Sequence, residues 1–273
     1  MTDDILVEAG HANGLYWHDL WTFRELLYFL AWRDVLLRYK QTALGIGWVI
    51  LQPLVTMLIL TFVFGRIAKL PSPDAPYPIL VFAALLPWQF FARGLSEAGT
   101  SLINQTGLLT KTYFPRLLIP LATIAVGVFD LLISLAVLGA LMAWYGFWPG
   151  ARIVLVIPLI ILAFVIALGP GLIVAALTVK YRDFRYLVPF FVQAGLYISP
   201  VGFTSSVIPQ RLMPLYFCNP VAGLIELFRW AIIGGGSPLY TQGVAISVIV
   251  SAILLALGLV YFRRTERSFA DIV

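Results

Sequence analysis

Gln41-Thr42-Ala43-Leu44-Gly45-Ile46-Gly47-Trp48-Val49-Ile50-Leu51-Gln52-Pro53-Leu54-Val55-Thr56-Met57-Leu58-Ile59-Leu60-Thr61-Phe62-Val63-Phe64-Gly65 contains no charged side chain, while Arg33, Arg38 and Lys40 crowd before it and Arg66 follows. Roughly 20 apolar residues are enough to carry a helix across ~30 Å of hydrocarbon. The stretch therefore reads as a transmembrane helix and the chain as an integral membrane protein.

The same pattern recurs on the C-terminal side. Trp48–Phe64 is followed by apolar spans at Tyr77–Leu102, Leu117–Trp144 and Ile153–Val179, a fifth beginning near Tyr186, and a sixth at Val244–Phe262. The expectation is an all-α integral membrane fold of six spans in one transmembrane domain over 1–273. Within it, 1–40 is a tail with an amphipathic interface helix, 41–262 holds the spans, and 263–273 is a second tail.

Composition supports this. Hydrophobic residues make up 61% of the 273 positions and charged residues 11%, and the mean hydropathy is +0.94. That is too little charge to solvate a globule, which excludes a soluble enzyme. The net charge of +5 belongs to residues flanking apolar spans and leaves no basic stripe with interleaved aromatics for nucleic acid. Cys218 is alone, so no internal disulfide is expected. The first twenty residues have neither a basic head nor an apolar core, so no cleavable signal peptide is expected.

Basic residues give direction. With the N-terminus taken as cytoplasmic, Arg24, Arg33, Arg38, Lys40, Lys111, Arg116, Lys180, Arg182, Arg185, Arg263, Arg264 and Arg267 fall inside. Arg66, Lys69, Arg93, Arg152, Arg211 and Arg229 make up the remainder. This two-to-one bias places both termini in the cytoplasm.

Two regions depart from plain spans. Leu20, Phe23, Leu27 and Leu30 share one helical face opposite His18, Thr22 and Glu25, which predicts an amphipathic helix along the inner leaflet. Ser199–Pro238 is broken by prolines. Asn219-Pro220 reads as an N-cap with proline at the first helical position, and Gly234-Gly235-Gly236 as a stop. The resulting helix of about 14 residues, ~21 Å, is too short to span. It reads as re-entrant helices on the outer side, either a structural plug or a gate.

Chemistry is sparse. No Gly-x-x-x-x-Gly-Lys-Ser/Thr loop is present, so the chain holds no ATP site of its own. Metal ligands at His/Cys spacing are absent, and His11 and His18 both precede the spans, so no catalytic residues are assigned. The intramembrane acids are Glu97, Asp130 and Glu226. Glu97 stands four residues from Arg93, where the two neutralise each other, and Glu226 has Arg229 at helical spacing. Asp130, one turn from Ser134, is either a hydrogen-bonded packing residue or part of a wet path. Asn104–Arg116 reads as a short surface helix with an exposed aromatic end or as a solvated turn.

In order along the chain, Arg33-Asp34-Val35-Leu36-Leu37-Arg38-Tyr39-Lys40 through Trp48 and Gln52-Pro53, Leu86-Pro87-Trp88-Gln89-Phe90-Phe91, Tyr113-Phe114-Pro115-Arg116, Val179-Lys180-Tyr181-Arg182-Asp183, Ser199-Pro200-Val201 and Asn219-Pro220 resemble the motifs of ABC-2-type polysaccharide export permeases. The resemblance implies a homodimer in the bacterial inner membrane with two separate nucleotide-binding ATPase subunits, which bind the ATP and Mg. It implies export of a polyprenyl-diphosphate-linked glycan such as O-antigen, teichoic acid or capsule. It further implies a coupling helix around Thr110, Lys111, Tyr113, Phe114, Pro115 and Arg116, and an outer gate containing Pro200, Asn219, Pro220, Glu226 and Arg229.

Tyr39, Trp48, Trp88, Phe90 and Phe91 then either line the channel or belong to the interfacial aromatic belt. Arg33, Arg38 and Lys40 either attract the diphosphate head group or simply anchor the inner side. A small-drug ABC-2 exporter and an ion-coupled carrier without an ATPase are the alternatives.

Overall fold

The structure, a computed structural model, describes residues 13–40, 45–72, 74–111, 114–234, 239–266 and 269. The sequence readings for Gln41–Leu44, Tyr113, Gly235, Gly236 and Arg267 lie outside the described residues. Among the described residues every regular element is helical: α1 (Asn13–Thr22), α2 (Arg24–Lys40), α3 (Gly47–Leu60), α4 (Tyr77–Asn104), α5 (Thr106–Lys111), α6 (Leu118–Trp144), α7 (Val156–Lys180), α8 (Phe184–Ile198), α9 (Met213–Tyr216), α10 (Pro220–Ile232) and α11 (Thr241–Thr265).

Among the described residues five helices are long and apolar enough to cross a membrane: α3 with its π-helical extension to Ile67, α4, α6, α7 with its 3-10 lead-in from Ala151, and α11. The fifth expected span is shorter. α8 has 15 residues, ~22 Å at 1.5 Å per residue, and stops where Ser199 turns extended, at ψ 153. Proline at the next position disfavours helical backbone in the residue before it.

From there the chain makes the re-entrant excursion expected from its prolines. The Asn219 side chain accepts a hydrogen bond from the Val221 amide and caps α10, whose 13 residues end two residues before Gly234, at φ 80. α10 is no surface flap. It packs on α4, α7 and α11, and Val221, Ala222, Leu224, Ile225 and Phe228 are buried. Its first residues lie beside the end of α8, where the Asn219 amide donates to Ser199 Oγ at 2.9 Å. Its far end meets the start of the α7 span, where Arg152 donates to the Gly234 carbonyl at 2.9 Å and lies over the Trp230 ring.

α4 is the axis of the bundle and packs against α3, α6, α7, α8 and α10. Small residues let the backbones close up, as expected where lipid offers no hydrophobic drive for helix association. A Cβ on Gly94 would meet the Ala167 methyl at 3.2 Å, and one on Gly171 would meet that of Ala98 at 3.3 Å. The tightest approach joins α7 to α11: a Cβ on Gly169 would meet Leu254 and Leu255 backbone at 2.7 Å, and one on Gly258 would strike the Gly169 carbonyl oxygen.

The N-terminal segment is two helices meeting at Phe23. The expected face is confirmed in part: Leu30 is buried, and Leu20, Phe23 and Leu27 pack against the core. The other side is not simply polar. Trp21, Tyr28, Phe29 and Trp32 are exposed there, with Tyr28 and Trp32 stacked at 6.4 Å. Such a helix buries one apolar stripe in protein and offers an aromatic one to the membrane interface.

Candidate functional site: a polar cleft and its ion cluster

Polar residues are rare in the spans, and several of them converge. On α3, Gln52 and Thr56 lie one turn apart; on α4, Gln89, Arg93 and Glu97 follow at four-residue steps with Ser96 beside them, so each set shares one helix face. These two faces, with Trp88 and with Val192 and Leu196 of α8, line an open cleft of about 270 Å³.

Behind it lies a cluster of ion pairs. Asp130 on α6 is buried and accepts hydrogen bonds from Arg38 at 2.6 Å, from Arg93 at 2.9 Å and from the Tyr39 hydroxyl. Arg38 also donates to Glu97, and Arg93 donates to Gln52 at 2.9 Å. Adjacent residues in the last turn of α2 thus reach the same carboxylate, and two cations balance two anions. Burial first, and then Asp130, push the Tyr39 phenol well above its ordinary value, so it remains a donor. Among the described residues no group of three His, Cys, Asp or Glu is placed to hold a metal ion.

The expected Arg93–Glu97 pairing is corrected here. The two do share a helix face, but each turns to a neighbouring element, Arg93 to Asp130 and Gln52, Glu97 to Arg38. A carboxylate as buried as Asp130 is costly unless it is paired and its remaining lone pairs are hydrogen-bonded, and Arg93 reaches it at 2.9 Å. Arg93 also sits with Arg38 of α2, so its place is with the N-terminal group of basic residues rather than the opposite one.

The remaining sequence-selected residues fall in several places. Trp48 is 55% exposed and Phe91 is half-buried beside Trp88, with ring centroids 6.0 Å apart. Trp88 is buried against α8, where a Cβ on Gly195 would touch its ring at 2.6 Å, yet it borders the cleft. Phe90 faces the inside of the chain, where a Cβ on Gly127 of α6 would meet its ring at 3.3 Å. Arg33 pairs with its neighbour Asp34 at 2.8 Å in an exposed position, and Lys40 is exposed.

Thr110 and Lys111 end α5. Phe114, expected as an exposed aromatic end, is instead buried, as is Pro115. An apolar ring placed next to a proline turn packs inward because the bundle end is otherwise open to water.

At the re-entrant region, Pro200 and Arg229 are buried. The Arg229 guanidinium spreads its donors over the backbone carbonyls of Leu80, Phe203 and Val201 at 3.2, 2.7 and 2.9 Å. Glu226, the partner suggested by spacing, accepts instead from the Ser205 amide at 3.4 Å.

Gln52 and Gln89 stand in the sequence motifs without a role of their own, and Thr56 and Ser96 are not picked out by any motif. Their signal was present as polar residues at helical spacing inside apolar spans.

Ionisable residues gathered at a polar cleft between membrane-crossing helices commonly mark a substrate or ion path. Residues 25–233 match the ABC-2 type transporter family, and the chain belongs to that family. It is 28% identical over 250 residues to the O-antigen export system permease protein RfbA of Klebsiella pneumoniae, covering 91% of this chain and 95% of the relative. The RfbA of Myxococcus xanthus is 28% identical over 215 residues, 77% of this chain and 81% of its own. The polysialic acid transport protein KpsM of Escherichia coli is 25% identical over 245 residues, 86% of this chain and 92% of its own.

Proposed function

We propose that this chain is the membrane-spanning subunit of an ATP-driven exporter of a lipid-linked polysaccharide, acting as a homodimer with two ATPase subunits on its cytoplasmic side. The observation that carries the reading is the polar cleft at membrane depth. Amides, hydroxyls and a charge pair are costly in hydrocarbon and persist where they meet water or a polar cargo. The Gln52 and Gln89 amides offer donors to sugar hydroxyls, and the Thr56 and Ser96 hydroxyls, which donate to their own helix at 2.9 Å each, offer acceptors, with Trp88 as an apolar floor. Relatives named for O-antigen export and polysialic acid transport support a glycan over a small apolar cargo.

In this reading both termini are cytoplasmic, and α5 is the contact for the ATPase, which binds ATP and Mg. ATP-driven closure of that partner displaces α5, moves α1 and α2, and opens the cleft to the glycan chain. α8 to α10 form the outer gate, with Arg229 holding its loop. Trp48 and Phe91, still partly exposed on one chain, are the aromatics available to line the path. Lys40 is exposed and available to a diphosphate head group, and Arg33 would meet one by exchanging its exposed pairing with Asp34, whereas Arg38 is committed to Asp130 and Glu97.

The test is surface display of glycan in cells in which this chain is the sole permease, with the co-purifying ATPase intact or carrying a disabled P-loop lysine. Display only with the intact ATPase is expected. Equal display in both would overturn the ATP-driven reading.

A further inference from the structure

A second junction lies away from the cleft, at the end of the bundle where α11 finishes. Glu266, just past α11, accepts the main-chain N–H of Arg116 on Oε1 at 2.8 Å and the Tyr16 hydroxyl on Oε2 at 3.0 Å. The Arg116 guanidinium donates in turn to the Glu266 carbonyl oxygen, and the Arg263 guanidinium lies 4.6 Å from the centre of the Tyr16 ring. One side chain therefore ties together α1, the segment that follows α5, and the end of α11, which are separated by 250 and 150 positions in sequence. None of the sequence motifs includes Tyr16 or Glu266.

The other end of the same N-terminal arm is also fastened. α2 runs ~25 Å from Arg24 to Lys40 and places Arg38 and Tyr39 on Asp130 and Glu97. Between the two anchors, α2 lies on α6, with Leu30 buried. Backbone hydrogen bonds continue across the junction of α1 and α2, from the Phe23 amide to the Asp19 carbonyl at 2.9 Å and from the Leu27 amide to the Phe23 carbonyl at 3.2 Å, so the arm joins its two anchors as one connected helical segment along which a displacement can pass.

We propose that Glu266 is a positioning residue that transmits movement of the α5 segment to the N-terminal arm, and through Arg38 and Tyr39 to the walls of the polar cleft. The path runs from Arg116 through Glu266 to Tyr16, along α1 and α2, to Asp130 and Glu97. It rests on the proposal that a partner ATPase acts on α5, and it adds the element that makes such a push reach the cleft. Truncation at Glu266 separates the ATPase contact from the arm while leaving both in place, so ATP is hydrolysed without the matching glycan movement.

The experiment uses the full complex of this chain with its co-purifying ATPase and reads two rates together: glycan displayed by the cells and ATP hydrolysed by the complex purified from them. Tyr16→Phe removes one hydroxyl and keeps the ring beneath Arg263. Glu266→Ala removes both acceptors, and Glu266→Gln keeps an acceptor for the Arg116 amide. We expect Glu266→Ala and Tyr16→Phe to assemble normally and hydrolyse ATP, with glycan displayed per ATP reduced by about tenfold, a typical coupling factor between linked sites. Glu266→Gln retains most of the ratio, and the double variant Tyr16→Phe with Glu266→Ala is no worse than Glu266→Ala alone.

An unchanged ratio in Tyr16→Phe overturns the proposal, and it does so even where Glu266→Ala fails to fold. A loss in which display and hydrolysis fall together also overturns it, because a purely structural role lowers both. If wild-type display does not require the ATPase, the functional reading itself falls; if wild type is ATP-coupled and the variants match it, only the junction falls.

Discussion

Replacing Asp130 with Asn tests the cluster that closes the cleft. The exchange keeps the shape of the side chain and removes its charge, leaving Arg38, Arg93 and Glu97 with a net charge of one cation. Arg38 retains Glu97, but Arg93 is left with neutral acceptors alone, the Gln52 amide and the amide that Asp130→Asn introduces. Removing one member of a buried ion pair costs about 3–5 kcal/mol. The Arg38 and Arg93 side chains remain 26% and 24% exposed, which places the expected loss near the lower end, about 3 kcal/mol, or roughly a hundredfold in the folded equilibrium. At about 2–4 °C per kcal/mol for a chain of this size class, the detergent-solubilised protein is expected to melt on the order of 6–12 °C lower.

The decisive control is the double variant Arg93→Gln with Asp130→Asn. It leaves Arg38 balanced by Glu97, and its melting temperature is expected to recover at least half of the loss. Scanning fluorimetry on the four proteins of this cycle gives the coupling directly. A single variant within 1 °C of wild type (roughly 0.3–0.5 kcal/mol), or a double variant that shows the sum of the two single losses, would refute the charge argument.

Three further outcomes follow from the packing. Arg229→Lys keeps the charge but loses the planar fork that serves three carbonyls; protease is expected to cut within 200–212 several-fold faster than in wild type, and unchanged cutting would dismiss the clamp. Gly258→Ala inserts a methyl against the Gly169 carbonyl; overpacking of this kind costs about 1–3 kcal/mol, visible as a lower melting temperature, while Gly139→Ala, where open space surrounds the Cβ position, stays near wild type. Burial holds the Glu266 carboxyl above the ordinary carboxylate range, although the Arg116 amide and Tyr16 pull it down. Because its folded value is the higher one, its favourable contribution is complete below the unfolded value of about 4.3 and is lost as pH rises through the folded value. The melting temperature of wild type relative to Glu266→Gln is therefore expected to fall as pH is raised across that window, and a flat difference would remove the burial argument.

Much of the fold was legible because spans announce themselves by length and lack of charge. The α10 cap was readable to the residue, since Asn219-Pro220 dictates local backbone whatever surrounds it. The shortness of α8 was less so: apolar composition continues through Tyr197 and Ile198, and only the Ser199-Pro200 step marks the end. The ion cluster was legible in its members and not in its pairing. Spacing along α4 puts Arg93 and Glu97 on one face, but the choice between a neighbour on the same helix and a buried acid on α6 depends on how α4 and α6 pack. Phe114 misled for the same reason, because a short helix beside a bundle gives no sign in sequence of which side it turns to the core. Tyr16 and Glu266 left no local trace, being brought together across nearly the whole chain.

In the proposed function the cleft between α3, α4 and α8 is a wetted wall of the glycan path. Cys218 is the chain's one cysteine, so a Cys218→Ser background gives a clean start for single cysteines at Thr56, which borders the cleft, and at Ile157, which is exposed on the apolar flank of α7. Labelling the assembled exporter with a membrane-impermeant maleimide, with and without accumulated lipid-linked glycan, is expected to modify position 56 and spare position 157, with the glycan protecting position 56. Failure to label position 56 in any state, or equal labelling of both positions without protection by glycan, would contradict the account.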